Sequence, residues 1–183
     1  KFLNADLFVI GASYVTIDDV NMVAKMSGVG SGTGFLSIHS NAYYTVVKNS
    51  FFENGGTGSS ILVLGKGGKY ATFDNNEFLI TGSSGNILSS NVYVGSGEIP
   101  QCVNYTNNFI NNTMPGSGFC YGITVCGEGN LVENNTLYHK GAGIITQYGA
   151  NTAGNVYRIN MLYNGCTMSV GDNSLVENNY DEA

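Results

Sequence analysis

The chain has 183 residues, of which 43% are hydrophobic and 11% are charged, and its formal net charge is −6. This length and apolar fraction suit one domain with a sizeable core. The seven Lys and Arg residues form no basic cluster, which excludes a nucleic-acid-binding surface. The sequence contains no apolar run long enough to predict a membrane span.

The predicted elements begin with a strand-like run over residues 1–10, followed by an Asn-containing cassette that recurs along the chain. Each cassette places one apolar residue three positions before its last Asn and another two positions after it. The copies lie at residues 46–51, 73–78, 105–110, 132–137, 157–162 and 176–179, and a degenerate copy with Val20 in the Asn position lies at 17–22. A variable period of roughly 20–30 residues predicts a solenoid with constant strands and variable loops.

A second strand-like run follows each cassette and is bounded in several copies by Gly. These runs lie at residues 35–38, 61–64, 92–94, 123–125, 144–146 and 168–170. Short β-branched and aromatic runs between Gly, Asn and Ser clusters are typical of strands joined by turns. No stretch keeps a helical period, and we expect the longer loops at residues 95–100 and 114–119.

The last Asn of each cassette is predicted to form a ladder at a corner of the solenoid. Its members are Asn49, Asn76, Asn108, Asn135, Asn160 and Asn179. Coils that stack at about 4.8 Å bring equivalent side chains into columns. Asn tolerates the left-handed backbone of a sharp corner, and its amide bonds both to its neighbours and to turn backbone. The flanking apolar residues are expected to fill the core, including Val46 with Phe51 and Phe73 with Phe78.

This pattern resembles the right-handed parallel β-helix of the pectate-lyase-like superfamily. It is most similar there to the Asn- and Gly-rich repeats of adhesin-like surface proteins of methanogenic archaea. The resemblance extends from about Val15 to Asn179. It implies an all-β solenoid of about six to seven coils with Asn-rich turns. Residues 1–183 are expected to form a single domain and to be a segment of a longer repeat protein. Because this scaffold carries many activities, the fold alone does not assign one.

One column of charged residues is a candidate for chemistry. The position two before the last Asn reads Asp18, Val47, Asp74, Thr106, Glu133, Arg158 and Glu177. Lyases of the resembling fold use carboxylates to hold calcium and a basic residue to take a proton beside a uronate. Glu133, Arg158 and Glu177 are therefore the catalytic candidates, although a cross-strand ion ladder is the favoured interpretation. A hydrolase is less favoured because Asp18 and Asp19 would point to opposite faces of a strand.

Two kinds of covalent feature are predicted. Glycosylation sequons begin at Asn104, Asn111 and Asn134, although the amide of Asn134 also has a structural use within its turn. Cys102 and Cys126 lie about one coil apart and are the candidate disulfide, with free thiols in the core as the alternative.

The sequence predicts no metal site and no cofactor, although carboxylates near coil turns leave calcium open as an alternative. Low charge with abundant Gly, Asn, Ser, Thr and Tyr is typical of cell-surface proteins. We therefore expect an extracellular, adhesin-like scaffold that binds cell-surface glycans or proteins. The alternatives are a polysaccharide lyase or glycoside hydrolase, and a structural subunit that stacks end to end into a filament.

Overall fold

The structure is a computed structural model that describes residues 2–3, 8–24, 34–39, 41–55, 60–65, 69–82, 85–89, 101–113, 120–139, 143–147 and 153–182. The predicted strand at 92–94 and the predicted loops at 95–100 and 114–119 lie outside the described residues.

All regular elements among the described residues are short β-strands, arranged in three parallel sheets. The first sheet contains β1 (Phe2–Leu3), β4 (Asn21–Ala24), β7 (Phe51–Asn54), β10 (Glu77–Ile80), β13 (Phe109–Asn112), β16 (Thr136–His139), β19 (Met161–Tyr163) and β22 (Tyr180–Asp181). The second contains β2 (Phe8–Ile10), β5 (Gly34–Ile38), β8 (Ser60–Gly65), β11 (Gly85–Ser89), β14 (Cys120–Val125), β17 (Gly143–Gln147) and β20 (Thr167–Ser169). The third contains β3 (Thr16–Asp18), β6 (Val46–Lys48), β9 (Thr72–Asp74), β12 (Asn104–Thr106), β15 (Leu131–Glu133), β18 (Val156–Arg158) and β21 (Leu175–Glu177).

The chain passes through the second, third and first sheets in turn, and each strand pairs in parallel with its equivalent in the next coil. This confirms the predicted all-β parallel solenoid. Each cassette supplies the third-sheet strand, a corner and the first-sheet strand. The additional strand-like runs at 35–38, 61–64, 123–125 and 144–146 are strands, as predicted, and all four lie within the second sheet.

The core consists of columns of apolar side chains that alternate inward along the strands. The third sheet contributes Val47, Phe73, Tyr105, Val132 and Tyr157, and the first sheet contributes Phe52, Phe78, Ile110, Leu137 and Leu162. Rings in these columns stack, with centroids 5.3 Å apart for Phe52 and Phe78 and 5.5 Å for Phe73 and Tyr105. Full burial of each such side chain contributes about 1.5–3 kcal/mol, so the columns hold successive coils together.

The prediction for the first complete cassette is wrong by one residue. Val47, not Val46, pairs with Phe73, and Phe52, not Phe51, pairs with Phe78. Because side chains alternate along a strand, this shift exchanges the inward and outward faces. Val47 is therefore buried, and Lys48 occupies the outward column that the sequence assigned to Val47.

Candidate functional site

The buried Asn ladder lies at the corner between the third and first sheets. Asn76, Asn108, Asn135 and Asn160 are almost fully buried, and Asn179 continues their column. The side-chain oxygen of each accepts the backbone N–H of its counterpart in the preceding coil, at 2.9–3.1 Å along the column. This confirms the predicted ladder for these five residues.

Asn49 is not part of this buried column. Its place is taken by Ser50, whose N–H donates to the side-chain oxygen of Asn76 at 3.1 Å. The Ser50 hydroxyl accepts the N–H of Val20 at 3.2 Å and donates to the carbonyl of Lys48 at 2.6 Å. The first complete cassette has Asn-Ser at the corner where four later copies have Asn-Asn, so its single Asn lies one position before the ladder position.

The left-handed backbone at this corner belongs to the residue before each ladder position, which corrects the prediction. Asp19, Asn49, Asn75, Asn107, Asn134, Ile159 and Asn178 have φ between 51° and 57°. Several of their side chains form a second ladder in solvent. Asn75 donates to Asn49 at 2.8 Å, Asn134 donates to Asn107 at 2.7 Å, and Asn107 donates to Asp74 at 2.7 Å.

A shallow groove of about 360 Å³ runs beside this exposed ladder. One side is formed by Asn49, Asn75 and Asn107, and the other by Phe51, Glu77 and Phe109, with Ser50 and Asn76 between them. Phe51, Glu77 and Phe109 are the first residues of three successive first-sheet strands, and each pairs in register with the next. Phe109 is 38% exposed, and Phe51 is half-buried. The groove thus combines amides, a carboxylate and two aromatic rings.

The sequence did not predict this groove because the repeat pattern assigned Phe51 to the core. The signal that would have found it is the residue immediately after each buried ladder position. In successive copies this residue is Phe51, Glu77 and Phe109.

The predicted charged column is present, and Glu133, Arg158 and Glu177 occupy paired positions on adjacent strands. Arg158 Nε donates to Glu133 Oε1 at 2.8 Å, and the two side chains are 42% and 26% exposed. Lys48 and Asp18 form a second ion pair in this column at 3.2 Å. Hydrogen bonding from Asn49 and then Lys48 holds the pKa of Asp18 below its ordinary value. The column therefore contains two cross-strand ion pairs, and a catalytic role for Glu133, Arg158 and Glu177 stays a prediction.

The structure does not join Cys102 and Cys126 in the predicted disulfide. Cys102 lies exposed at the corner that enters the third sheet, with φ 54°, whereas Cys126 is buried. The partner of Cys102 in the next coil is Gly129. A methyl group placed on that glycine would lie 3.3 Å from Cys102 Sγ. Cys126 is therefore about one coil from Cys102, as the sequence spacing suggested, but Gly129 and not Cys126 lies opposite Cys102 in the next coil.

Three exposed tyrosines precede Cys102 at this same corner. Tyr14, Tyr44 and Tyr70 have φ of 57–61°, and their rings stack with centroids 5.0 and 4.8 Å apart. A left-handed backbone is uncommon for a bulky residue. In three successive coils, the tyrosine with the left-handed backbone is also the one whose ring stacks on its neighbour in the column.

A second buried Asn ladder, which the sequence analysis missed, lies just after this corner in later coils. Asn155 Oδ1 accepts from the backbone N–H of Asn130 at 2.8 Å and from its amide at 2.9 Å. Asn130 Oδ1 in turn accepts the N–H of Val103 at 3.0 Å. The missed signal is the Gly-Asn pair that precedes the cassettes beginning near Leu131 and Val156.

The three sequon asparagines differ in their surroundings. Asn104 and Asn111 are half-buried, and Asn134 is exposed. The amide nitrogen of Asn134 donates to Asn107, whereas that of Asn104 has a long 3.5 Å contact to the Thr72 hydroxyl. Glycosylation at these sites stays a prediction.

Within the described ranges, no group of three His, Cys, Asp or Glu side chains is placed to hold a metal ion. The expectation of no metal or cofactor, with calcium as its alternative, stays a prediction. The described part of the chain also contains no helix with the length and apolarity needed to cross a membrane.

Neither protein families nor curated proteins gave a match to this sequence. The resemblance to pectate-lyase-like and adhesin-like proteins therefore rests on the repeat pattern and the parallel solenoid.

Proposed function

We propose that this chain is a rigid, adhesin-like scaffold, displayed outside the cell, that binds glycans. The observation that carries the proposal is the groove between the exposed Asn ladder and the outward residues Phe51, Glu77 and Phe109. Sugars offer hydroxyl groups at their edges and apolar C–H groups on their ring faces. The groove presents matching chemistry on its two sides.

The exposed amides keep hydrogen-bonding capacity for a ligand. A carboxamide has two N–H donors and two acceptor lone pairs. Asn49 uses one donor toward Asp18 and one acceptor site toward Asn75, and Asn107 uses one donor toward Asp74 and one acceptor site toward Asn134. Each of these two amides therefore has a donor and an acceptor site left, at fixed spacing along the groove.

The groove is supported by rigid structure. Beneath it, the amides of Asn76 and Asn108 donate both along the buried ladder and to the carbonyls of Val47 and Phe73. Phe52 and Phe78 stack behind the first sheet. A site ordered before binding loses little conformational entropy when the ligand arrives, which favours recognition by a static surface.

The lyase alternative is less well supported by the charged column. A guanidinium group stays protonated in proteins and cannot accept a proton readily. Arg158 also points its Nε–H at Glu133, which stabilises the charged form further. This arrangement suits a surface ion ladder better than a base awaiting a substrate.

The test is binding of the whole chain to an array of neutral and acidic glycans. We expect retention of one glycan class, lost in a Phe51→Ala/Phe109→Ala double variant. Tyr14→Ala is the matched control, because it removes an exposed ring at the other corner. An array on which the folded chain retains no glycan would overturn the proposal.

A further inference from the structure

We infer that the groove takes a neutral, extended polysaccharide of the β-1,4-linked type, lying parallel to the solenoid axis with alternate sugars on Phe51 and Phe109. This inference rests on the proposed glycan-binding function and names the ligand class. It follows from the spacing of the two rings, from the residue between them and from the charge of the groove.

The spacing of the rings matches every second sugar of an extended chain. Phe51 pairs with Glu77, and Glu77 pairs with Phe109, so the two rings lie two strand spacings apart. Two spacings amount to roughly 10 Å along the axis. In a β-1,4-linked chain each sugar is turned over relative to the last, so equivalent ring faces recur at every second unit and at a similar repeat.

The intervening sugar would lie over Glu77, which is exposed between the two phenyl rings. A carboxylate accepts hydrogen bonds from two neighbouring hydroxyl groups. The amides of Asn49, Asn75 and Asn107 follow the same axial repeat on the other side of the groove. Each sugar along the chain therefore lies beside one Asn amide on one side of the groove. On the other side, successive sugars lie over a phenyl ring, the Glu77 carboxylate and a phenyl ring in turn.

The charge of the groove selects against acidic polymers. Among the described residues that line it, only Glu77 is charged, and its charge is negative. The nearest column on the third sheet adds Asp18 and Asp74, and Lys48 is bound to Asp18. A uronate polymer would place its carboxylates beside a net negative charge, because Lys48 balances only one of the three carboxylates. Like charges at short range repel. A neutral glycan avoids this cost.

The test is calorimetric titration of the whole chain with cello-oligosaccharides of two to six sugars, maltohexaose and oligogalacturonate. Three sugars are the shortest chain that reaches both rings. We expect affinity to rise roughly fivefold to tenfold from the disaccharide to the trisaccharide, since each added ring contact is of this size. Phe51→Ala or Phe109→Ala should remove that step, whereas Phe109→Tyr should keep it and Tyr14→Ala should not change it.

Charge selection is tested separately with Glu77→Gln. Because Gln offers one acceptor oxygen where Glu offers two, this variant should bind cello-oligosaccharides up to about threefold more weakly, and it should bind oligogalacturonate more tightly than the parent chain does. Preference for maltohexaose or for oligogalacturonate by the parent chain, or a disaccharide-to-trisaccharide step that persists in both Phe variants, would overturn this inference and leave glycan binding itself standing. Failure to bind any glycan on the array would overturn both.

Discussion

Asn135 donates two hydrogen bonds to one atom, the side-chain oxygen of Asn160. Its backbone N–H and its amide nitrogen both lie 3.0 Å from that oxygen. The Asn135 amide also donates to the Tyr105 carbonyl at 2.8 Å, and its own oxygen receives the same pair of bonds from Asn108. The Asn135 carboxamide thus satisfies two backbone groups of the preceding coil and also bonds to a side chain of the next coil.

The first prediction concerns the loss of one such carboxamide. In Asn135→Ala, two donors of Asn108 and the Tyr105 carbonyl lose their partner in a buried corner. Because each unpaired buried group costs about 1–3 kcal/mol, we expect the free energy of unfolding to fall by about 3 kcal/mol or more. Urea unfolding followed by tyrosine fluorescence or circular dichroism measures this change.

The matched control is the adjacent Asn134→Gly. Asn134 is exposed with φ 54°, and its amide donates to Asn107 in solvent. Glycine accepts this backbone readily, so the unfolding free energy should change by no more than about 1 kcal/mol. Equal losses in the two variants would contradict the structural role assigned to the buried ladder.

The second prediction extends the tyrosine column. Cys102 already has the left-handed backbone of Tyr70, and the next residue at the corner is Gly129, which leaves room for a ring. Cys102→Tyr should therefore stack on Tyr70 and raise the unfolding free energy by about 0.5–1.5 kcal/mol. Cys102→Ser is the control without a ring. A tyrosine variant that is less stable than the serine variant would show that the fourth ring does not fit.

The third prediction concerns Arg158. Its ion pair with Glu133 is partly exposed, so Arg158→Ala should cost no more than about 1 kcal/mol in unfolding free energy. High salt should reduce this cost, because screening weakens exposed pairs. A double-mutant cycle with Glu133→Gln isolates the pair from the packing of the arginine stem. A salt-independent loss of several kcal/mol would mean that Arg158 has another structural partner.

The fourth prediction concerns alkaline pH. Burial raises the pKa of the Tyr157 hydroxyl, which also donates to Gln147 Oε1 at 3.0 Å. In the unfolded state this tyrosine has a pKa of about 10. The folded state therefore keeps the proton to a higher pH than the unfolded state does. This contribution to stability is complete below about pH 10 and is lost as the pH rises from there through the raised folded pKa.

Unfolding free energies measured between about pH 8 and 11 test this prediction. Tyr157→Phe should cost about 1 kcal/mol near neutral pH for the lost hydrogen bond and should reduce the alkaline decline. Tyr14→Phe, at a ring that is 77% exposed, should leave the decline as it is in the parent chain. An unchanged alkaline slope in Tyr157→Phe would contradict the assignment.

The repeat determined much of the fold without any structure. From Phe73 onward, the apolar residues three before and two after the last Asn are buried where they were expected, apart from the exposed Val176, because the cassette encodes both strand alternation and corner chemistry locally. The stacking of Glu133, Arg158 and Glu177 followed from the same alignment. These features depend on residue order within one coil and on a repeat that is strict from copy to copy.

The tertiary structure decided the features that depend on how residues of one coil pair with residues of the next. Whether Asn49 or Ser50 enters the buried column is set by the pairing of Val47 with Phe73, which lies outside any single cassette. The same pairing turns Phe51 outward beside Glu77 and Phe109 and so creates the groove. The sequence by itself determined the solenoid because its periodicity is local. Only the stacked coils determined the site, because loops of unequal length leave the register open until the core columns pack.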